Sequence, residues 1–192
     1  MPGVTVACSS DGQWALWPGA QVPLASGDLQ WTGGPSYLIE PGTHFATTVH
    51  IERSDTSNGE RLRAANPGNW EPIEWDELLD GRLGPWAIAT EAALVVSICH
   101  TPRPMMARAA ECGVWTHPDS RGRGHAAAVT SAWAEIVRPS ERHLFYSTDA
   151  ANQSSQAVAR RLSLRPLGWT WCLDVARSSN VHPLSTLRRT RS

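Results

Sequence analysis

The sequence predicts a mixed α/β fold whose front half is largely antiparallel. Three observations carry that reading. Short β-branched and aromatic runs lie between dense turn signals in the first half, strand candidates follow one another after residue 84, and two later stretches have helical spacing. With 192 residues, 41% hydrophobic and 18% charged, the chain has the length and composition of one globular domain rather than of a disordered segment.

Taken in order, Gln13–Trp17, Ser36–Ile39 and Thr47–Ile51 read as strands. Turns at Trp17-Pro18-Gly19, Gly33-Gly34-Pro35, Pro41-Gly42 and Ser57-Asn58-Gly59 bound them. Asn69 reads as a helix cap, Pro72 as a first-turn residue, Ile73, Trp75, Leu78 and Leu79 as the apolar face, and Gly81 as the stop. Pro85–Ala89 and Leu94–Cys99 read as strands joined by a hairpin over Thr90-Glu91-Ala92. Beyond the break at Pro102, Glu111–Thr116 reads as one further strand.

A helix is expected from Gly124 to Val137, since Val129, Trp133 and Ile136 with Val137 recur at core-facing spacing, and Pro139 stops it. His143–Thr148 then reads as a strand, Ser154–Leu164 as a helix and Gly168–Val175 as a last strand. The tail Arg177–Ser192, with Arg188, Arg189 and Arg191, reads as a solvated end.

A net charge of −1 and a pI of about 6.6 give no global positive field, so neither a nucleic-acid nor a membrane partner is expected. All 17 basic residues are arginine, which removes every lysine-based chemistry, including a phosphate-loop lysine and a Schiff base. The four cysteines (Cys8, Cys99, Cys112, Cys172) lie far apart, the start carries no cationic leader, and no apolar run is long enough to span a bilayer. A cytoplasmic protein with free thiols is expected. The histidines and cysteines show no metal-ligand spacing, so no metal is expected.

The chemistry concentrates in Gly113–Ala126. A strand enters a loop with glycines at 122 and 124, and a helix begins at once. Glycines let backbone approach a ligand, and a helix start offers unpaired N–H groups and partial positive charge, so the segment suits a phosphate or pyrophosphate. Arg121 and Arg123 would add charge-assisted contacts. A nucleotide phosphate loop is excluded for want of lysine. A dinucleotide fingerprint through Gly122, Gly124 and Ala127 fits poorly, because His117–Arg121 separates strand from glycines and the preceding strands read as hairpin-connected.

Arg121-x-x-Gly124-x-Ala126 resembles the [Q/R]-x-x-G-x-[G/A] acyl-CoA motif of the GNAT N-acetyltransferase superfamily. Both flanks are similar to that family in the same order: Val114-Trp115-Thr116-His117-Pro118 upstream, and Asn152-x-x-Ser155 followed by Leu162-Ser163-Leu164 downstream. The resemblance covers about Pro85–Leu173. It implies a GNAT-type α/β fold, with a largely antiparallel, splayed central sheet flanked by helices. It also implies one domain over 1–192: an elaborated N-terminal acceptor-side half over about 1–84, an acyl-CoA-binding core over about 85–175, and the tail 177–192.

By that resemblance Val114, Trp115 and Thr116 would line pantetheine. Arg121, Gly122, Arg123, Gly124, His125 and Ala126 would cradle the pyrophosphate, and Asn152 and Ser155 would touch the pantetheine arm. The expected activity is acyl transfer, acetyl above all, from acetyl-CoA or another acyl-CoA to an amine of a small molecule or peptide, with a homodimer as an open assembly. An oxyanion donor is expected from a backbone N–H near Thr116 or Trp115.

The family's tyrosine, seven residues after the asparagine, is Ala159 here, and its usual turn glycine is Ser163. Tyr146 is the substitute proton donor, with Ser155 or water as alternatives, and Glu111, His100 or water the candidate base. The absent tyrosine also keeps open a non-catalytic acyl-CoA-binding sensor. Of the ten tryptophans, most read as core and a minority as walls of an acceptor pocket.

Overall fold

The computed structural model describes residues 4–9, 14–18, 29–102 and 106–175. Ten strands and three α-helices run in the order β1 (Val4–Ser9), β2 (Trp14–Pro18), β3 (Leu29–Ile39), β4 (His50–Arg53), α1 (Pro72–Leu79), β5 (Trp86–Glu91), β6 (Leu94–His100), β7 (Ala109–Glu111), β8 (Gly113–Thr116), α2 (His125–Val137), β9 (His143–Ser147), α3 (Gln153–Arg161) and β10 (Arg165–Val175) among these residues. Arg177–Ser192 lies outside them, and so do the side chains of Trp14, Trp17 and Trp31. No described helix is long and apolar enough to cross a membrane.

The strands form two sheets, one ordered β2-β1-β10-β3-β9-β7 and the other β4-β5-β6-β8. The stretch expected as one strand, Glu111–Thr116, is in fact the hinge between them. Ala109–Glu111 pairs parallel with β9, whereas Gly113–Thr116 pairs antiparallel with β6. Cys112 is the turning point; its N–H still donates to the Phe145 carbonyl at 3.1 Å, and from there the two sheets splay. Gly113 permits the bend, because a Cβ there would meet Pro102 at 3.1 Å and His100 Nε2 at 3.4 Å. Sequence alternation could not show this, since a strand that changes partner keeps the same pattern of side chains.

Two apolar cores sandwich the second sheet. On one face α2 buries Val129, Trp133 and Val137 against Ala87, Ala89, Cys99 and Cys112. On the other, Trp75, Leu78 and Leu79 of α1 pack on Trp86, Ile88 and Ile98. The three most buried indoles are also hydrogen-bonded: Trp75 donates to the Leu62 carbonyl, Trp86 to the Leu79 carbonyl and Trp133 to Thr101 Oγ1, at 3.0, 3.3 and 3.2 Å. A buried indole N–H without such a partner would forfeit roughly 1–3 kcal/mol.

Several local expectations shift. Glu71, not Asn69, precedes the first turn of α1. Asn66 instead shapes that loop, accepting from Gly68 N–H and donating to the Trp70 carbonyl at 2.9 and 3.0 Å. Ile73 is 69% exposed, because the buried stripe runs through 75, 78 and 79 and leaves it on the far side. β4 starts at His50, β10 starts at Arg165, and the parallel pairing of β1 with β10 has no local signal.

The β5–β6 hairpin turns over Ala92-Ala93 rather than Thr90-Glu91-Ala92. Glu91 pairs with Leu94, and both turn residues have positive φ, 47° and 66°. That is the two-residue turn usually built from Asn-Gly, since alanine in the left-handed region costs about 1–2 kcal/mol. The double substitution Ala92→Asn, Ala93→Gly is expected to raise the melting temperature by about 2–4 °C. A calorimetric scan showing a lower melting temperature would contradict this account of the turn.

Candidate functional site

The splay leaves one edge of β8 open. His117 N–H donates to the Val96 carbonyl at 2.9 Å, and the register pairs Ile98 with Trp115 and His100 with Gly113. Antiparallel ladders alternate hydrogen-bonded and non-bonded pairs, so the backbone groups of Trp115 face β6. Those of Val114 and Thr116 face the gap towards β9, in line with Cys112, whose N–H is the last to reach across. Trp115 is thereby removed as an oxyanion donor, and Thr116 and Val114 remain. The Thr116 carbonyl accepts from Arg121 Nε at 3.4 Å, on that same open side.

The loop after β8 runs into α2 through Gly122 at φ 78° and Gly124 at φ 92°, conformations that favour glycine at both places. Gly124 is the cap of α2, and no side chain caps it. The first amides of α2 therefore have no side-chain acceptor, which is the condition for binding an anion at a helix start.

The arginines divide. Arg121 is exposed beside the loop. Arg123, expected on the phosphate, forks onto Glu91 instead, Nη1 to Oε2 at 2.7 Å and Nη2 to Oε1 at 2.6 Å. The His125 ring turns inward at 6% exposure, so His125 and Ala126 can serve an anion only through backbone. Sequence reading missed Arg161: its Nη1 lies 3.4 Å from where a Cβ on Gly124 would stand, and the Phe45 ring lies 3.2 Å from the same point. Arg161 makes no ion pair among the described residues. Its only sequence signal was a basic residue in the last turn of α3.

Across the gap, Asn152 caps α3, its Oδ1 accepting from Ser155 N–H at 3.0 Å. Tyr146 on β9 is 2% exposed and shares a core with Ala159, 1% exposed, at the place where the family has its tyrosine. Burial pushes the Tyr146 phenol well above its ordinary range, and the Ser155 hydroxyl draws it back partway.

The candidate bases lie on the opposite face. Ala110, Cys112 and Val114 pack towards α2, so Glu111, Gly113 and Trp115 alternate to the α1 side. His100, paired with Gly113, shares that side, with its ring edge-on to Trp70 at 5.0 Å. Its Nδ1 and the Trp70 Nε1 are buried without hydrogen-bond partners. Burial pushes the His100 pKa below the ordinary value, so the ring is neutral near pH 7. Alternation thus puts Glu111 and His100 on the α1 side, whereas Tyr146 belongs to the buried core on the α2 side. Of the tryptophans, Trp70 and Trp115 are half-buried on the α1 side, while Trp169 is 45% exposed and stacks on Trp171 at 5.4 Å. Among the described residues, no three His, Cys, Asp or Glu side chains converge as metal ligands would.

Residues 44–165 match the acetyltransferase (GNAT) domain family, a stretch that begins well before the motifs after Pro85. Of the curated proteins, none matches the chain. Among solved structures, a GCN5-related N-acetyltransferase from Kribbella flavida is 16% identical, with a TM-score of 0.56 over 80% of this chain and 62% of that one. A GNAT-family acetyltransferase structure from Novosphingobium aromaticivorans is 18% identical, with a TM-score of 0.50 over 77% of this chain and 66% of that one. The chain therefore spans no more than about two thirds of either protein, and at these identities the likeness is one of fold.

Proposed function

The chain belongs to the GNAT acetyltransferase family, and from that premise we propose that it moves an acyl group, acetyl in the simplest case, from acyl-CoA to an amine by direct attack. The observation that carries this reading is the uncapped start of α2 beside the open edge of β8. One offers amides for a diphosphate, and the other offers the open-edge backbone of Val114 and the Thr116 N–H to the amides of pantetheine. Arg121 and Arg161 are the side-chain cations for the diphosphate. The donor set fits the group: the Arg121 and Arg161 guanidinia, neither in an ion pair among the described residues, and helix-start amides for phosphate, strand edge for pantetheine, and no lysine required.

In this mechanism the acceptor enters from the α1 side, between Trp70 and Trp115, as a neutral amine. Its nitrogen attacks the thioester carbonyl. The oxyanion is held by the N–H of Thr116 or Val114, and His100, neutral at working pH, or Glu111 takes the proton released by nitrogen. Collapse breaks the C–S bond, and the Tyr146 phenol returns a proton to the sulfur. Tyr146 and Ala159 share a core, which supports the exchange of one tyrosine position for another. The acceptor is a small-molecule or peptide amine. The buried free thiols Cys99 and Cys112 accord with a reducing cytoplasm.

The test is a thermal-shift series with acetyl-CoA, CoA, NADH and ATP, followed by thiol release over an amine panel. Acetyl-CoA at about 100 times its Kd should raise the melting temperature by about 5–10 °C, the others apart from CoA leaving it unchanged. Tyr146→Phe should keep that shift and lower kcat by about 100-fold. An equal response to NADH would sink the acyl-CoA reading, and a fully active Tyr146→Phe would return the proton to Ser155 or water.

A further inference from the structure

We propose that Glu91, at the end of β5, is a positioning residue that fixes the phosphate-binding loop from the side away from the splay. Through it, Arg123 serves as a latch rather than as a phosphate ligand. The proposal rests on the acyl-CoA reading of the loop, and three independent features carry it.

The first is geometric commitment. Arg123 gives both terminal nitrogens of its guanidinium to the two oxygens of Glu91, a bidentate fork that engages both oxygens and fixes the plane of the guanidinium. Arg123 lies between the two left-handed glycines, the two most compliant joints of the loop. Tying the residue between them restrains both.

The second is what lies beneath. His125 is the first residue of α2 and 6% exposed, yet its Nε2 is buried without a hydrogen bond. Glu91 Oε1 lies 3.4 Å from it. One carboxylate thus faces both residues that flank Gly124. Glu91, Arg123 and His125 line a polar cavity of about 310 Å³ together with Thr47, Thr48 and His50.

The third is the turn. Glu91 immediately precedes Ala92 and Ala93, two alanines held at positive φ. Strain of that kind persists only where its surroundings over-determine it. Directly before this turn, Glu91 meets Arg123 and His125 at the start of α2.

The pair is half-exposed, so it contributes little to global stability; its effect is to pre-order the amides that meet the diphosphate. Pre-ordering a loop shows in affinity, because the bound form then costs less to organise.

The experiment is a double-mutant cycle of Glu91→Gln and Arg123→Gln. CoA affinity is read by calorimetry, acetyl-CoA KM and kcat with the best amine, and amide hydrogen exchange over 121–126 in the free protein. Each single variant should weaken CoA binding about tenfold, and the double variant no further than either. The loss should fall in KM rather than kcat, and loop amides should exchange faster in both singles while melting temperatures stay within about 2 °C of the parent.

If Arg123 binds phosphate and Glu91 only restrains it, Glu91→Gln will leave CoA binding unchanged or tighten it while Arg123→Gln weakens it, and the latch is overturned. Additive losses overturn it as well. A parent protein that binds no CoA would defeat the acyl-CoA reading, and the exchange data would still report on the latch. Unchanged exchange in both variants refutes it whatever the ligand.

Discussion

Gly124→Glu is expected to weaken CoA binding by more than about 100-fold while leaving the fold intact. Gly124 sits at φ 92°, where any other residue costs about 1–2 kcal/mol, and a Cβ would meet the Phe45 ring at 3.2 Å and Arg161 Nη1 at 3.4 Å. The new carboxylate would then occupy the amides and guanidinium proposed for the diphosphate and repel the phosphate as well. A negative charge at a helix start contributes about 0.3–1 kcal/mol of stability, which offsets much of the strain. Calorimetry against CoA separates these effects, with Gly124→Ala as the strain-only control. An affinity within about threefold of the parent would show that the diphosphate lies elsewhere.

Gly34→Ala is expected to produce the largest loss of stability, about 3 kcal/mol, or about 6–12 °C in melting temperature. A Cβ on Gly34 would stand inside the contact radius of the Thr148 carbonyl oxygen and 2.6 Å from Ala150 N. These are backbone atoms that no rotamer change can move aside. The chain leaving β9 is bonded down onto β3 at this place, Thr148 N–H to the Pro35 carbonyl and Ala150 N–H to the Gly33 carbonyl, at 3.2 and 2.9 Å. That crossing sets where Asn152 begins α3, so the surviving folded protein should also bind CoA more weakly. A urea titration giving an unchanged midpoint would mean that the crossing relaxes freely.

The parts of the site that neighbours in sequence dictate were legible. Two glycines before an apolar helical stripe specify a left-handed loop and an open helix start, and both are seen at Gly122, Gly124 and α2. For Asn152 and Ser155 the sequence reading named only a pantetheine role, and the cap that joins them at the start of α3 is seen only in the structure. The stop at Gly81, at φ 75°, was equally local. Where a signal was ambiguous locally, the neighbouring loop decided: Pro72 starts α1 whether Asn69 or Glu71 precedes it, and Asn66 took the polar contacts of that loop.

What depended on distant partners was not legible. Nothing near Arg123 indicates that its fork closes on Glu91, 32 residues away, or that Arg161 reaches Gly124 from α3. Strand pattern likewise gives no partner, so the change from β9 to β6 at Cys112 and the parallel seat of β1 on β10 are invisible in one dimension. Local signals specified the type of the elements after residue 84 and the resemblance to one family, but Val4–Ser9 went unread, and Gly33-Gly34-Pro35, read as a turn, runs through the middle of β3. Folding alone settled that Arg123 pairs with Glu91, that Arg161 approaches Gly124, which edge of β8 is open, and that Tyr146 lies in the α2-side core while His100 lies beside Trp70 on the α1 side. The reason is physical: caps, turns and periodicity are set within a few residues, whereas charge pairing and strand partnership are settled between surfaces that meet only after the chain has folded.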